Sequence, residues 1–532
     1  MKNSKKGLFP MITRITAIFL MTVMLFSVVA CTKNPDTDPK DSSGESSSAD
    51  ITPESSGEVT VSTEGTTSKY DVTDGLPSDL KYTGETIRIL SRNRNWFEDE
   101  IDIADGYNGD LIDEAVYQRT RRVEDRLGIK IENVPANEGT DSYAIPDRLK
   151  KALNDGMTDY DLVNTTMYAT FLSVPQGILR DVASISTLDL SKPWWHQGFN
   201  EEASFHGRQF LISGAANLSS IRFLFATFVN HQNLIDHNMD IQTLYNAVNN
   251  KQWTLDYQAQ LAQQLYDDND GVPSKSEGDT FGFVTNCDQI GVDAYWSSCK
   301  LKILSKNADG DYQWAVDVAR LDKAVGKINA LVWGDSSWPV KKGSSDGEQQ
   351  DIAKMFVEGR AAMATLRVFE TESAVFREAD KDFEYSILPI PMLDEDQKEY
   401  YSYAHDQFTA FGIPAPVKKD RLEMIGATLT VFGAESYRTV MPAFYETALK
   451  GRYLKNPESA AMMDIIYDSF YMDAGVLYTK AIESVHQKLR TLIGTQSSST
   501  VTVFRPLKRT TEVSIKKLNN NLRDLCGLPK LK

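Results

Sequence analysis

The chain has few cysteines: Cys31, Cys287, Cys299 and Cys526 are the four among 532 residues. Cys31 closes the leader segment described below, so an odd number of three remains for the body of the chain. Three scattered thiols cannot build a disulfide framework, which excludes the small cross-linked secreted folds. Cys287 and Cys299, twelve residues apart, fit either one disulfide or two buried thiols, and the sequence leaves both open.

Catalytic motifs are also scarce. The six histidines never stand at metal-site spacing, and no His-Glu-x-x-His occurs. Residues 343–347 match Gly-x-Ser-x-Gly, but a nucleophile elbow needs a strand before it and a helix after it. Two lysines precede the pattern and Glu348-Gln349-Gln350 follows, so we expect a solvated loop at Ser345. His405 downstream keeps a serine hydrolase as an alternative, and glycosidase carboxylate pairs, which are distant in sequence, are not decided by spacing.

An acidic run at residues 266–277 is similar to a calcium-binding loop. Placing Gly271 at the sixth position of such a loop puts Tyr266, instead of an aspartate, at the first. The segment is therefore predicted to be a turn, and the sequence does not decide whether it binds calcium. We predict no cofactor and no metal site for this chain.

Basic residues are outnumbered, with 57 Lys and Arg against 74 Asp and Glu and a net charge of −17. Residues 1–30 contain four basic residues and no acid, so the chain from Cys31 onward carries −21. An acidic surface repels the phosphates of nucleic acids and the headgroups of anionic lipids. Neither is therefore expected as a ligand.

Long apolar runs are missing except at the start of the chain. Ile15–Ala30 is uncharged, but its sixteen residues fall short of the ~20 that a spanning helix needs. A cationic start precedes it, and Val28-Val29-Ala30-Cys31 ends it, which is the order of a secretory signal. The last four residues resemble a bacterial lipobox, with Val28 in place of the usual Leu. The resemblance implies cleavage before Cys31, acyl chains such as palmitate on that residue, and an extracytoplasmic protein anchored to the bacterial cell membrane; a signal-anchor helix is the alternative.

Bulky apolar residues are rare in the next segment. Residues 32–80 hold ten Ser, eight Thr and eleven acids against three bases. Such a segment cannot bury enough apolar area to offset the entropy of ordering. We predict that residues 31–82 form a disordered tether between the membrane and the folded part.

From residue 83 onward, strand and helix patterns alternate. Asn108 or Asp110 is suited to begin one helix that Gly128 ends, and Gly156 ends the next. The strands that flank these helices are predicted at residues 86–90, 129–134 and 160–163. The order strand, helix, strand, helix, strand predicts an α/β fold with parallel pairing, in which ligands bind at the carboxyl ends of the strands.

Four segments, in this order along the chain, resemble one protein family. They are Gly156–Val163, Gln252–Tyr257, Phe356–Met363 (Phe-Val-Glu-Gly-Arg-Ala-Ala-Met) and Leu388–Pro391 (Leu-Pro-Ile-Pro). The succession resembles the extracellular solute-binding proteins of ABC importers, in the family that binds sugars and oligosaccharides (family 1). The resemblance covers about residues 84–480, and it rests on the order of the segments together with the leader and the tether.

The resemblance implies a two-lobe, type II periplasmic-binding-protein-like fold with hinge strands and a ligand cleft. The N-lobe is expected at 83–212 and 405–455, and the C-lobe at 213–404 and 456–532. Such a protein is a monomeric receptor, not an enzyme, that captures a carbohydrate and delivers it to the permease subunits of a transporter. A surface glycan-binding or adhesion lipoprotein without a transporter and a secreted hydrolase are the alternatives.

A carbohydrate site stacks aromatic rings on sugar faces and places polar side chains at the hydroxyls. The residues expected to stack are Trp96, Tyr168, Tyr295, Trp296 and Phe369. The residues expected to form hydrogen bonds are Arg92, Asn93, Thr165, Thr166, Arg367, His405 and Asp406. Trp296 is the strongest candidate for stacking because polar residues flank it, which predicts a loop after an apolar segment. For each aromatic residue, a place in the core is the alternative.

Overall fold

Two mixed β-sheets organise the part of the chain that the structure, a computed structural model, describes. The described residues are 68–92, 100–103, 110–136, 142–272, 274–341, 345–380, 382–450 and 457–532, with the side chains of 345, 346, 348, 446–450 and 457 left out. The strands are β1 (Thr86–Arg92), β2 (Lys130–Ala136), β3 (Leu162–Thr166), β4 (Phe225–Asn230), β5 (Phe283–Asn286), β6 (Leu304–Lys306), β7 (Tyr312–Trp314), β8 (Ser337–Val340), β9 (Met363–Arg367), β10 (Tyr385–Leu388) and β11 (Thr409–Gly412).

Helices cover the sheets and make up most of the C-terminal part. They are α1 (Leu111–Leu127), α2 (Ala144–Asp155), α3 (Met167–Phe171), α4 (Gln197–Ala203), α5 (Leu218–Arg222), α6 (His231–Asp236), α7 (Ile241–Asn249), α8 (Leu255–Gln264), α9 (Ile290–Ser298), α10 (Val318–Trp333), α11 (Ser345–Val357), α12 (Ala374–Arg377), α13 (Leu422–Glu435), α14 (Met441–Lys450), α15 (Pro457–Asp468), α16 (Ala474–Leu477), α17 (Lys488–Gly494) and α18 (Thr500–Leu525). Within the described ranges, no helix is both long enough and apolar enough to cross a membrane.

The first sheet has the strand order β11-β3-β1-β2. β1 pairs in parallel with β2 and with β3, and β11 pairs antiparallel to β3, which confirms the predicted parallel core. α1 connects β1 to β2 where the sequence predicted a helix. Asp110 caps it by accepting hydrogen bonds from the backbone N–H groups of Ile112 and Asp113, and Gly128 ends it in the left-handed conformation at φ 68°.

The second sheet has the strand order β10-β4-β9-β5-β8. β4 runs antiparallel to both of its neighbours, whereas β5 runs parallel to β8 and β9. Its strands fall between residues 225 and 388, inside the range expected for the C-lobe, and those of the first sheet fall inside the ranges expected for the N-lobe. The lobe boundaries themselves stay a prediction.

Two segments of chain run side by side between the sheets. Ile212 and Phe411 exchange backbone hydrogen bonds of 3.0 and 2.8 Å. Further along the same pair of segments, the N–H of Phe225 donates to the carbonyl of Tyr403 at 2.9 Å. Because Phe225 is the first residue of β4 and Phe411 belongs to β11, this paired backbone joins the two sheets.

The predicted tether is wrong at its C-terminal end. Residues 68–82 pack on the folded part, with the ring of Tyr70 5.1 Å from that of Tyr437. Arg126 forms an ion pair with Asp74 at 2.9 Å. The sequence analysis missed these aromatic and charged contacts because it judged the segment by its overall Ser- and Thr-rich composition. The rest of the predicted tether, and Cys31, lie outside the described residues.

The cysteine alternatives are also resolved. Cys287 and Cys299 are both buried and are not bonded to each other, so the segment between them is not closed by a disulfide. Burial raises the pKa of the Cys299 thiol to about 12. At neutral pH this side chain is therefore a protonated thiol that packs as a small apolar group.

Candidate functional site

The segment 405–408 lies at the junction of the two sheets. On one side it meets the end of β3, where the N–H groups of Met167 and Tyr168 donate to the carbonyls of Phe408 and Asp406 at 3.0 and 3.2 Å. On the other side, the N–H of His405 donates to the carbonyl of Phe223 at 2.8 Å. Backbone pairing therefore fixes His405 and Asp406 between the carboxyl end of β3 and the second sheet.

Arg92 brings the end of β1 to this junction. Its Nη1 donates to the carbonyl oxygen of Gln407 at 2.7 Å. Its Nη2 donates to Gln407 Oε1 at 3.1 Å and to Ser142 Oγ at 3.3 Å. The contacts span the first sheet and the crossing segment, so Arg92 lies at the junction.

Arg367 approaches the junction from the end of β9 in the second sheet. Its Nη2 donates to Glu370 Oε1 at 2.9 Å, and its Nη1 lies 3.3 Å from His405 Nδ1. The rings of Phe223 and Phe369 lie 5.7 and 5.9 Å from the guanidinium carbon. At these distances the ring faces attract the guanidinium cation.

His405 is a neutral imidazole held among cations. It stacks on Phe223 with ring centroids 5.4 Å apart. Burial, and then the nearby charges of Arg367 and Arg490, hold the pKa of His405 well below its usual range. A neutral ring has one donor and one acceptor nitrogen, and because Nδ1 faces the Arg367 guanidinium we assign the proton to Nε2. That nitrogen lies 3.6 Å from Asp406 Oδ1.

A second acidic side chain, Asp293, enters the cluster from α9. Arg490 donates to it twice, with Nε 2.9 Å from Asp293 Oδ1 and Nη2 bonded to Oδ2. Burial alone would raise the pKa of the Asp293 carboxyl, but Arg490 and His486 lower it to about 2. Asp406 lacks such a close cation, and burial raises the pKa of its carboxyl. The cluster thus offers charged donors and carboxylate acceptors close together.

The β3 residues and Tyr168 lie at the margin of this cluster. Thr165 Oγ1 is 2.9 Å from Thr170 Oγ1, so its hydroxyl is engaged within the protein. Thr166 Oγ1 is buried and has no hydrogen-bond partner among the described groups. Tyr168 is half-buried, with Lys480 Nζ 5.4 Å from its ring centroid. Thr166 and Tyr168 therefore keep a polar atom and an aromatic ring available beside Asp406.

The loop expected around Tyr295 and Trp296 is wrong. Both residues lie on α9, and Trp296 is 1% exposed, with its ring 6.4 Å from that of Phe504 in a stacked arrangement. Tyr295 is fully buried, with its hydroxyl 3.4 Å from Thr365 Oγ1. Neither ring is exposed at the junction, so both belong to the core in this structure.

The polar neighbours of Trp296 explain this error. They were interpreted as loop residues, but Ser297 is buried and its Oγ donates to the carbonyl of Tyr471 at 2.9 Å. Asp293 is likewise buried against Arg490. Buried polar groups that find partners look, in the sequence alone, like exposed ones.

Four of the predicted residues therefore meet at the junction: Arg92, Arg367, His405 and Asp406. Asn93 and Trp96 lie outside the described residues. The sequence did not single out Asp293 and Arg490, because the two lie on helices 197 residues apart and neither belongs to a motif. Phe369 is half-buried beside Arg367, and its stacking role stays a prediction.

The Gly-x-Ser-x-Gly pattern has a different setting from the one we expected. β8 precedes it and α11 begins at Ser345, so a strand and a helix flank the pattern instead of a solvated loop. The side chain of Ser345 lies outside the described residues. His405, the candidate base, contacts Arg367 and Phe223 as described above.

The junction cluster is closed in this structure. Arg92 and Asp406 are each 6% exposed, and Arg367 is 2% exposed. The hydrogen-bonding atoms of the cluster come from both sheets and from the crossing segment. A small polar molecule held there would contact the two halves of the protein at once.

Comparison with known proteins gives matches by structure only. No family model matches the sequence, and no curated protein matches it. UgpB from Mycobacterium tuberculosis, in complex with glycerophosphocholine, is 14% identical with a TM-score of 0.51; the match covers 78% of this chain and 98% of UgpB.

Two further solved structures show the same likeness. UspC from Mycobacterium tuberculosis is 14% identical with a TM-score of 0.52, covering 80% of this chain and 100% of UspC. A sugar transporter protein from Rhizobium etli, in an open conformation, is 12% identical with a TM-score of 0.53, covering 81% of this chain and 99% of that protein. The mixed α/β chain therefore has the two-lobe fold that these solved structures share.

Proposed function

We propose that this protein is a receptor that captures a carbohydrate, an oligosaccharide in particular, outside the cell and delivers it to the permease of an ABC importer. The observation that carries the proposal is the junction cluster: Arg92, Arg367, neutral His405 and Asp406 converge from both sheets. Guanidinium groups donate and carboxylates accept, which is what neighbouring sugar hydroxyls require.

The aromatic part of the site follows from the same geometry. Tyr168 and Phe369 are the half-buried rings beside the cluster, and they take the stacking role first given to Trp296. The proposed ligand-binding set is Arg92, Asn93, Trp96, Thr165, Thr166, Tyr168, Arg367, Phe369, His405 and Asp406. Because this cluster is closed, the lobes move apart to admit a ligand and close over it.

The fold comparisons support this class of function. One of the compared proteins is a sugar transporter in an open conformation, and another holds glycerophosphocholine. In this proposal the receptor is a monomer, acts without catalysis and presents its closed form to the permease. Domain closure around a ligand is the usual way in which such two-lobe proteins couple binding to shape.

A thermal-shift screen across mono- and oligosaccharides tests the proposal. A ligand that binds only the folded state at 100 times its Kd adds ~2.7 kcal/mol, which raises the melting midpoint by a few degrees. Glycerophosphodiesters are screened in parallel. A rise in the melting midpoint with these compounds alone would show that the ligand class is a glycerophosphodiester and not a carbohydrate. Hydrolysis of the bound glycan would favour the secreted hydrolase, and unchanged uptake in cells lacking the protein would favour a surface glycan-binding lipoprotein.

The membrane anchor gives a separate prediction. Cys31→Ser removes the sulfur that carries the acyl chains, so we expect the protein to move from the membrane fraction to the soluble fraction. Cell fractionation followed by immunoblotting measures this. Cys526→Ser is the matched control, because Cys526 is a partly exposed thiol elsewhere in the chain. Full membrane retention of Cys31→Ser would contradict the lipid anchor.

A further inference from the structure

A loop of the second-sheet half brings three carboxylates together. It connects α8 to β5 and is closed by paired backbone between Asp267 and Thr280, with hydrogen bonds of 3.0 and 3.1 Å. Asp268, Asp270 and Asp279 each place one carboxylate oxygen within 4.8 Å of the others. Three negative charges at this separation repel each other, and the repulsion is stronger beside the protein interior than in water.

One carboxylate oxygen of Asp279 is buried without a hydrogen-bond partner among the described groups. Its side chain is fully buried, and its Oδ2 accepts from the Tyr266 hydroxyl at 3.0 Å and from the N–H of Ser276 at 2.9 Å. Its Oδ1 is also buried, but no described group donates to it. A buried carboxylate oxygen without a donor or a cation is costly, and native proteins rarely keep one.

The nearest positive groups are used elsewhere. His237 lies 3.4 Å from the neighbouring Asp267, outside the carboxylate cluster. Lys275 donates to the carbonyls of Gly334 and Ser337 at 2.8 and 3.0 Å. Among the described side chains, no Lys, Arg or His forms an ion pair with any of the three carboxylates. The described side chains therefore leave the negative charge of the cluster uncompensated.

We propose that Asp268, Asp270 and Asp279 bind a Ca²⁺ ion. The ligands are all oxygen, which suits Ca²⁺ and disfavours zinc and copper. Three carboxylate oxygens within 4.8 Å of one another can share one cation, and Ca²⁺ accepts the irregular geometry of loop carboxylates, whereas Mg²⁺ requires near-ideal octahedral geometry. Ser276 Oγ, which donates to Asp270 Oδ2 at 2.5 Å, and water complete the coordination.

The spacing of the three residues supports the assignment. Asp268, Asp270 and Asp279 occupy positions 1, 3 and 12 of a twelve-residue loop, which are carboxylate positions of the EF-hand calcium loop. Aligning Gly271 with the sixth position, as the sequence suggested, missed this register. In this register the sixth position is Pro273 in the sequence instead of the usual glycine.

Calorimetric titration of the chelator-treated protein with CaCl₂ tests the site. We expect one Ca²⁺ per chain, a Kd of about 1 mM or tighter as in extracellular calcium modules, and a rise in the melting midpoint with CaCl₂. Asp279→Asn should weaken binding at least 10-fold. Asp267→Asn, next to the cluster but paired with His237, is the matched control and should change the Kd less than twofold.

Each result is decisive without any carbohydrate. In chelator, Asp279→Asn should melt at or above the wild-type midpoint, because it removes a buried uncompensated charge; if it does not fold, the exposed Asp270→Asn takes its place. No heat and no midpoint shift at about 10 mM CaCl₂ would overturn the site. Equal losses in Asp267→Asn and Asp279→Asn would overturn the assignment of ligands, and equal affinity for Mg²⁺ would overturn the choice of ion.

Discussion

Trp296→Ala is expected to lower the free energy of unfolding by about 3–5 kcal/mol. Trp296 is fully buried on α9 and stacks on Phe504 of α18, so its loss leaves a cavity between two helices. The urea midpoint and the melting midpoint of the ligand-free protein measure the effect. Carbohydrate affinity of the fraction that remains folded should change less than threefold, because the ring does not reach the junction cluster.

Trp296→Phe is the matched control. It keeps most of the aromatic volume and removes an indole N–H that is buried without a partner, so we expect a loss of roughly 1 kcal/mol or less. Unchanged stability of Trp296→Ala together with a large loss of affinity would contradict the core position. It would return Trp296 to the sugar-stacking role that the sequence first indicated.

Asp406→Asn is expected to weaken carbohydrate binding by about 10- to 100-fold. A hydrogen bond from a ligand hydroxyl to a charged carboxylate contributes ~1.5–3 kcal/mol, and the amide keeps the shape while losing the charge. The ligand is the carbohydrate with the largest thermal shift in the screen, and calorimetric titration at pH 7 measures its Kd.

The stability of Asp406→Asn should move in the opposite direction. Burial raises the pKa of the Asp406 carboxyl, so the ionised group destabilises the folded protein increasingly as pH rises through its unfolded and then its folded pKa. At pH 7 the asparagine variant should therefore melt at or above the wild-type midpoint. Weak binding by a protein of undiminished stability identifies a ligand contact, because a merely structural residue would lower the melting midpoint as well.

Asp394→Asn is the matched control for this variant. Asp394 is also a nearly buried carboxylate, but its partner is Lys323 and it lies outside the junction cluster. We expect its affinity for the carbohydrate to stay within twofold of wild type. If Asp406→Asn binds as tightly as wild type, Asp406 does not contact the ligand and the cluster must be reassigned.

Local elements were well predicted because local interactions set them. Asp110, one of the two expected caps, begins α1, and Gly128 ends it as the sequence indicated. Thr254 also caps α8 by a local hydrogen bond, accepting from the N–H of Tyr257. Caps, turns and apolar periodicity depend on a few neighbouring residues, so they can be recognised from the sequence without knowledge of tertiary contacts.

The site could be predicted in part. Arg92, Arg367, His405 and Asp406 lie together because each stands at the end of a strand or in a crossing segment, and the topology brings such ends together; their contact with a ligand stays a prediction. Arg490 and Asp293 were missed because the residues next to them in the sequence do not show that their side chains are buried and paired. The acidic loop was found as a pattern, but its register became clear only when Asp279 proved to be buried beside Asp268 and Asp270.

By itself, the sequence determined the α/β order of elements and the acidic surface. Its shortage of cysteines also determined that core packing, instead of a disulfide framework, stabilises the fold. Tertiary structure alone decided which polar residues are buried and which aromatic residues face the junction. The physical reason is that a polar side chain enters the interior only when a partner meets it there, and the partner of Asp293 lies 197 residues away. That pairing made α9 a core helix, and it placed Trp296 in the core.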